Sequence, residues 1–243
     1  MQLSVEFSVK DLCLPIAYRH CIQGLIYDVL RTDPAFSTAL HDGVTDISGK
    51  QLKLFTFGQL EGKYTIENKT IRFSDAVRLE IRSVNTQLML LLLNGFYEGR
   101  ELRLGTHWVR VVKCSLEKRQ IMQNEIVVQT CSPVVSYLTL ADGHTRFFTP
   151  DEEMFYRLLC VNAQCKWESL HKDDFPATLS VSPATKFFKK QVTLFKDTRI
   201  TAWGGRFCLK GAPELLTLLY DTGLGAKSSQ GFGMFEPIFT EVL

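Results

Sequence analysis

The chain opens with a strand pattern that runs directly into a helix pattern, and this order constrains the fold more than any other feature. Residues 2–10, QLSVEFSVK, alternate apolar and polar side chains, the period of a strand with one buried face. From Pro15 to Arg31 the apolar residues recur at helical spacing. Later strand patterns cover 53–60, 63–73, 76–84 and 101–118, with a helix pattern at 87–99. Strand, helix, strands, helix and strand in this order predict a ferredoxin-like domain.

The second half repeats this scheme after a weak boundary at residues 120–124. EIVVQT and SYLTLADGHTRFF precede a helix that opens at Pro150, and strands follow at 177–181, 187–193 and 198–209. A helix from Pro213 to Tyr220 and a last strand close the chain. The predicted fold class is α+β, with two tandem ferredoxin-like (RRM-like) domains and a C-terminal glycine-rich loop. Their expected limits are residues 1–120 and 124–243.

The amino-acid composition indicates the cellular compartment of the protein more clearly than it indicates a binding partner. A net charge of +2 is only mildly basic, so any nucleic-acid surface has to be local. Seven cysteines without paired C-x-x-C spacing predict free thiols in a reducing cytoplasm. The longest apolar block, Leu88 to Leu93, is far shorter than the roughly 20 residues that span a bilayer. We therefore expect no membrane association and no secretory signal.

A zinc site is the alternative use of some of these cysteines. Cys160 and Cys165 lie between His144 and His171 in the sequence. A structural zinc site normally draws on a second cysteine or histidine pair at short spacing, which this region lacks. No metal is therefore expected.

The segment GLGAKSSQGFGM, from Gly223 to Met234, is unusually rich in glycine. A nucleotide-triphosphate loop carries Lys and Ser or Thr directly after its final glycine and lies between a strand and a helix. Here Ala226 separates Gly225 from Lys227, and the order is helix, loop, strand, so a triphosphate hydrolase is disfavoured. Two local interpretations are left: a glycine-rich helix-to-strand connection, and a loop whose backbone amides approach a phosphate.

This glycine segment resembles the C-terminal signature of the RAMP superfamily of CRISPR proteins. The N-terminal half resembles the CRISPR repeat-RNA endoribonucleases in the order of three segments, HCIQGLIYDVL, ALHDG and KLFTF. The resemblance covers nearly the whole chain. It implies tandem ferredoxin-like domains and metal-independent cleavage of repeat RNA, without a cofactor, in the cytoplasm of a prokaryote. The implied partner is CRISPR repeat RNA, as precursor and as product; further effector-complex subunits and a homodimer are left open.

By the same resemblance, Tyr27, His41 and Lys53 form the catalytic group. The loop between His41 and Lys53 looks longer than in relatives, so Lys50 is the alternative catalytic lysine. RNA supplies its own nucleophile, the 2′-hydroxyl, and the enzyme has to orient it, move protons and stabilise charge. A histidine suits the proton transfers near neutral pH, with general base as the preferred role of His41 and general acid as its alternative. The products would carry a 2′,3′-cyclic phosphate and a 5′-hydroxyl.

RNA binding also needs phosphate contacts beyond the cut. We expect them from the glycine segment and from the basic neighbourhood around KFFKK, where aromatic residues alternate with lysines. The predicted RNA-binding residues are Gly225, Lys227, Ser228, Ser229 and Gly231 in the first group, and Lys186, Lys189, Lys190 and Arg199 in the second.

Each of these residues also has a plainer interpretation. His41 would suit the C-terminus of a helix, Tyr27 a core position and Lys53 a solvent-facing one. For His20, His107, His144 and His171 we prefer structural or solvent roles. The alternative function is a repeat-RNA-binding protein without catalysis, or a subunit of a CRISPR effector complex.

Overall fold

The computed structural model describes residues 1–32, 38, 43–45, 51–98, 101–171, 179–195 and 198–238. Its α-helices in those ranges are α1 (Arg19–Val29), α2 (Thr86–Tyr97), α3 (Glu153–Glu168) and α4 (Pro213–Thr222). The strands of the first half are β1 (Gln2–Ser8), β2 (Leu12–Pro15), β3 (Val44–Thr45), β4 (Gln51–Leu52), β5 (Phe55–Phe57), β6 (Tyr64–Glu67), β7 (Thr70–Phe73), β8 (Ala76–Ser83), β9 (Glu101–Leu104) and β10 (His107–Glu117). Those of the second half are β11 (Glu125–Thr130), β12 (Tyr137–Thr139), β13 (Thr145–Phe147), β14 (Ser180–Pro183), β15 (Lys189–Phe195), β16 (Thr198–Gly204), β17 (Arg206–Lys210) and β18 (Phe235–Ile238).

The first sheet has the ferredoxin-like strand order. Its strands lie in the order β5, β8, β1, β10, β9, and β1 pairs antiparallel with both β8 and β10. The alternation of β1 places Leu3, Val5 and Phe7 on the buried face, in one cluster with the apolar face of α1. The sequence order β1, α1, β5, β8, α2, β10 thus gives a sheet with its two helices packed on one face.

The second sheet repeats the arrangement in the order β14, β17, β11, β18. Its strands and helices follow in the sequence order β11, α3, β14, β17, α4, β18, which is the same βαββαβ scheme. Two hairpins, β12–β13 and β15–β16, are added to it. The predicted α+β class is confirmed.

The hydrophobic residues of the described ranges separate along the chain. One buried cluster runs from Leu3 to Val109 and another begins at Ile121. We keep the expected limits, 1–120 and 124–243, as the proposed domain division. Among the described helices, none has the length and apolarity that crossing a bilayer requires.

Local structure differs from the sequence prediction at several places. Pro15 is the last residue of β2, where it pairs with Thr70, so α1 begins four residues later than predicted. The segment 198–209 forms two strands because it changes partners at Gly205, where a Cβ atom would lie 2.5 Å from the Phe188 ring. The short helix expected at Pro34 to Leu40 lies outside the described residues, except for Thr38, which is helical.

A buried arginine joins the two sheets. Arg82 of β8 is fully buried and donates a 2.6 Å hydrogen bond to the Phe235 carbonyl. Its guanidinium also pairs with Glu80 and Glu236 and lies 3.8 Å from the ring centroid of Tyr220. Because a buried charge is costly unless it is paired and hydrogen-bonded, these contacts fix the position of β18 against β8.

The backbone of Gly231 gives a direct test of how tightly the sheets meet. Its φ is +84°, and a Cβ atom there would lie 2.5 Å from the Phe57 ring. We expect Gly231→Ala to lower the free energy of unfolding by about 2 to 4 kcal/mol, from left-handed strain plus overpacking. Gly143→Ala is the matched control, since φ is +83° but nothing lies within 4 Å, and we expect a loss of about 1 kcal/mol. Urea unfolding measures both, and equal losses would contradict the prediction.

Candidate active site

A cleft of about 640 Å³ opens between α1 and the segment 223–233, which we call the glycine loop. His20, Gln23, Gly24 and Tyr27 line its first wall, at positions i, i+3, i+4 and i+7 of one helix face. The glycine loop forms the facing wall. Further lining residues are Leu52, Lys53 and Leu54 of the N-terminal half, and Tyr137, Asn162, Lys166, Phe195 and Thr198 of the C-terminal half. Both halves of the chain therefore contribute to the cleft.

Tyr27 and Lys53 meet in this cleft. The Lys53 ammonium donates a hydrogen bond of 3.2 Å to the Tyr27 hydroxyl and lies 5.5 Å from its ring centroid. Burial raises the pKa of Tyr27 to about 12. At neutral pH the side chain is therefore a neutral phenol, which accepts from Lys53 and has one O–H to donate.

The remaining catalytic candidates lie outside the described residues. These are His41 and the alternative lysine, Lys50. The described residue nearest to His41 in the C-terminal direction is Gly43, with a φ of +73°. A Cβ atom on Gly43 would lie 3.4 Å from Cγ of Lys53, so the backbone that follows His41 reaches the lysine of the cleft.

The glycine loop is held by side chains that bond to its carbonyl oxygens. Lys166 of α3 is buried, and its ammonium donates to the carbonyls of Thr222 (3.2 Å), Gly223 (2.6 Å) and Gly225 (3.2 Å). The first two lie at the C-terminus of α4, where the helix dipole favours a cation. A Cβ atom at Gly225 would lie 2.7 Å from the Val135 carbonyl, so this approach requires glycine.

The N-terminal half holds the same loop from the other side. Arg19 and Gln23 of α1 donate to the carbonyls of Gly231 (3.1 Å) and Ser229 (2.8 Å). Thr56 of β5 donates 3.1 Å to the carbonyl of Phe232. The loop is thus anchored to both halves of the chain, and the width of the cleft is set by these bonds.

Lys227 presents its charge from the loop side. Its backbone is left-handed, with φ of +59°, and its ammonium lies 4.8 Å from the ring centroid of Tyr137. Ser228 and Ser229 line the cleft beside it, and their backbone amides donate to no acceptor among the described residues. A cation and two amide donors suit an anion. Gly231 is different: it is not part of the lining but packs against Phe57.

The other predicted RNA-binding residues lie on and before the hairpin β15–β16. Lys190 and Arg199 share one face, since Lys190 pairs with Trp203 and Leu194 with Arg199. Both cations are exposed, and the Lys190 ammonium lies 5.8 Å from the Trp203 ring centroid. Lys186 and Lys189 are exposed as well. The tip residues Phe195 and Thr198 line the cleft, so the hairpin leads away from it as a basic strip.

Among the lining residues that were not predicted from the sequence, His20 and Lys166 are the two with basic side chains. His20 received a structural or solvent role, yet its position seven residues before Tyr27 on an amphipathic helix already places both on one face. Lys166 follows Phe155, Leu159 and Ala163 at helical spacing, and this pattern indicates the buried face. A lysine at such a position signals a specific partner, which here is the glycine loop.

In the described residues all seven cysteines are free thiols. No group of three or more His, Cys, Asp or Glu side chains there is arranged to hold a metal ion. Cys160, considered above as a zinc ligand, instead donates to the Leu179 carbonyl at 3.3 Å.

Comparison with known proteins finds one family. The family described as "CRISPR associated protein Cas6, C-terminal" matches residues 116–237. A CRISPR-associated endoribonuclease Cas6 of Pyrococcus furiosus is 25% identical over 241 residues, covering 93% of this chain and 84% of the relative. CRISPR-associated endoribonuclease Cas6 1 of Methanocaldococcus jannaschii is 24% identical, covering 96% and 91%.

Solved structures agree with this fold. A Cas6-related protein from Pyrococcus furiosus superposes with a TM-score of 0.83 at 21% identity, covering 99% of both chains. A structure titled "An RAMP protein binding different RNA substrates" superposes with a TM-score of 0.83 at 23% identity, covering 98% of this chain and 100% of the other. At this identity the likeness shows the fold.

The state of Tyr27 can be measured directly. With 13Cζ-labelled tyrosine, and with Tyr27→Phe to assign the signal, we expect the Tyr27 resonance to keep its neutral-phenol position at pH 10.5. Burial raises its pKa to about 12, whereas a tyrosine in an unfolded chain titrates at about 10. The unfolded state therefore loses this proton first, so the contribution of Tyr27 to stability falls as pH rises from about 10 to 12. A Tyr27 resonance already half-shifted at pH 10 would contradict this assignment.

Proposed function

The chain belongs to the Cas6 family of CRISPR-associated proteins, and we propose that it is an endoribonuclease that cuts CRISPR precursor RNA within its repeats to release guide RNAs. The observation that carries the proposal is the cleft in which Lys53 and Tyr27 face the glycine loop with Lys227. The names of the two relatives, both endoribonucleases, support the same activity.

In the proposed reaction the 2′-oxygen beside the scissile phosphate forms a bond to phosphorus while the bond to the 5′-oxygen breaks. His41 takes the 2′-proton as general base, and the imidazolium so formed returns a proton, through water, to the 5′-oxygen, which leaves as a 5′-hydroxyl. The other product carries a 2′,3′-cyclic phosphate. His41 precedes Gly43 by two residues, and a Cβ atom on Gly43 would lie 3.4 Å from Cγ of Lys53, which supports the assignment of His41 to this group.

Tyr27 and Lys53 have complementary tasks in this scheme. Tyr27 is a neutral phenol and donates its hydrogen bond to a phosphoryl oxygen or to the leaving 5′-oxygen. Lys53 keeps its ammonium against the Tyr27 hydroxyl and offsets the charge that develops on the phosphorane. Proton transfer and charge stabilisation are then both supplied by side chains, so the proposed cleavage needs no metal.

The RNA backbone on either side of the cut has two proposed contact regions. Gly225, Lys227, Ser228 and Ser229 contact phosphates in the cleft, through amides, hydroxyls and one cation. Lys186, Lys189, Lys190 and Arg199 contact the strand that follows the hairpin β15–β16. We assign Gly231 a supporting role, because it packs on Phe57 and its carbonyl accepts from Arg19.

Cleavage of the repeat RNA from the host's own CRISPR array in EDTA tests this function. We expect His41→Ala to slow single-turnover cleavage by about 10² to 10⁴. Lys53→Met should slow it by about 10² to 10³, because it removes charge stabilisation of the transition state. RNA binding should be retained in both variants, and a single 2′-deoxy nucleotide at the cut should abolish cleavage by wild type.

His144→Ala and Lys63→Met are the matched controls, since both residues are exposed and neither lines the cleft. Tight binding by wild type without any cleavage would make the chain an RNA-binding protein. Cleavage at the 2′-deoxy position would contradict the 2′-hydroxyl mechanism.

Lys227 has a separate test in binding. We expect Lys227→Gln to weaken RNA binding and to reduce the slope of log affinity against log salt by about 1, because one phosphate contact is lost. Lys69→Gln is the control, since Lys69 is also left-handed, with φ of +63°, and exposed, but lies outside the cleft lining. Filter binding at several salt concentrations measures both, and an unchanged slope for Lys227→Gln would contradict the phosphate contact.

A further inference from the structure

A second groove, of about 530 Å³, lies against the same helix as the cleft. Its apolar lining includes Leu14, Leu25 and Gly105, and its charged lining residues are Asp28 and Arg103. We call it the α1 groove. His20 and Gly24 line both the cleft and the α1 groove. The two spaces are therefore neighbours, and one face of α1 forms the ridge between them.

Gly24 is a glycine that the packing of the protein does not explain. It lies in the interior of α1, where glycine is a poorer helix former than nearly every other residue. A Cβ atom there would meet nothing within 4 Å, and its φ is not left-handed. The missing side chain therefore leaves open space above the ridge, where a ligand can approach the helix backbone.

The composition of the α1 groove suits one nucleotide. Apolar walls accept the faces of a base, and a volume of this size is that of a small-molecule site. Arg103 is exposed, and among the described residues its guanidinium donates through Nε to the Gly105 carbonyl, at 3.0 Å, so that its terminal nitrogens can bind a phosphate. Oδ1 of Asp28 accepts a long hydrogen bond of 3.4 Å from Arg31, and the carboxylate has further lone pairs that can accept from amino groups such as those on base edges.

His20 lies on the ridge, at the boundary between the cleft and the α1 groove. Its Nδ1 lies 2.8 Å from the Ala17 carbonyl, a contact that orients the ring when Nδ1 carries the proton. Its Nε2 lies 3.4 Å from the Cys21 sulfur, and Cys21 lines the α1 groove. The ring is thus held at the junction of the two spaces.

We propose that the α1 groove binds one unpaired nucleotide of the substrate RNA that flanks the cut, after the strand crosses α1 over Gly24. This inference rests on the proposed function. Arg103 holds the phosphate of this nucleotide, the apolar walls hold its base, and Asp28 favours a base with an exocyclic amino group over uracil.

Binding of an abasic series tests the groove. The probes are repeat RNAs with a 2′-deoxy nucleotide at the cut and one abasic nucleotide placed at each position around it. For wild type we expect at least a tenfold loss of affinity at one position near the cut. Gly24→Gln should bind the intact RNA about tenfold more weakly than wild type does. An abasic nucleotide at the sensitive position should then cause no further loss of affinity in Gly24→Gln, because the glutamine already blocks the groove.

Folding and specificity provide the controls. Gly24→Gln should melt no lower than wild type, since glutamine is the better helix former. Leu90→Gln places the same side chain at an exposed position of α2 and should bind like wild type. Uracil at the sensitive position should weaken wild-type binding relative to the other bases, and Asp28→Asn should remove that difference.

The inference would be overturned if Gly24→Gln bound the intact RNA with wild-type affinity. It would also be overturned if every position at which an abasic nucleotide weakens wild-type binding weakened Gly24→Gln binding equally. If wild type neither binds nor cuts the repeat RNA, the proposed function itself fails, and this result is distinct from both.

Discussion

The shape of the cleft depends on the hydrogen bonds that the carbonyl oxygens of the glycine loop accept. Side chains from both halves of the chain donate to them: Lys166 of α3, Arg19 and Gln23 of α1, and Thr56 of β5. A loop of this kind has few side chains to pack, and its shape is fixed instead by backbone bonds and by positive φ angles. With several of its carbonyls bonded to these side chains, the loop lines the cleft with Lys227, Ser228 and Ser229. The proposed anion recognition and the contacts between the two halves of the chain thus come from the same eleven-residue segment.

Two buried cations reinforce this arrangement in different ways. Lys166 is satisfied largely by carbonyl oxygens at a helix C-terminus, whereas Arg82 is paired with Glu80 and Glu236. Both fix a relation between elements that hydrophobic contact alone would leave adjustable, because hydrogen bonds to a buried charge tolerate little displacement. The proposed catalysis by positioning requires that rigidity, since Tyr27 and Lys227 lie in different halves of the chain.

Much of the fold follows from the sequence. The alternation of β1, the apolar face of α1 and their repetition in the second half are sufficient to predict two ferredoxin-like units. The predicted start of α1 was wrong, because proline is compatible both with the first turn of a helix and with the end of a strand. The strand partner of Pro15 is Thr70, which is distant in sequence. The break at Gly205 likewise depends on the Phe188 ring, which no local pattern reveals.

The candidate site was also predictable only in part, because some of its contacts join residues that are distant in the sequence. Tyr27 and Lys53 came from motif order, and their contact is visible only in three dimensions. Gly231 was grouped with the RNA-binding glycines because composition does not distinguish a glycine that approaches a ligand from one that approaches Phe57. His20 and Gly24 were within reach of the helical spacing, but the groove behind them is formed by β2 and the β9–β10 turn, from elsewhere in the chain.

The central claim is that the phosphate to be cut lies between α1 and the glycine loop. A crystal structure of the protein with its repeat RNA, carrying a 2′-deoxy nucleotide at the cut, measures this directly. We predict the scissile phosphate within hydrogen-bonding distance of Tyr27 and Lys53, with Lys227 on the opposite wall. A scissile phosphate bound on the open face of either sheet, outside the cleft, would contradict the account.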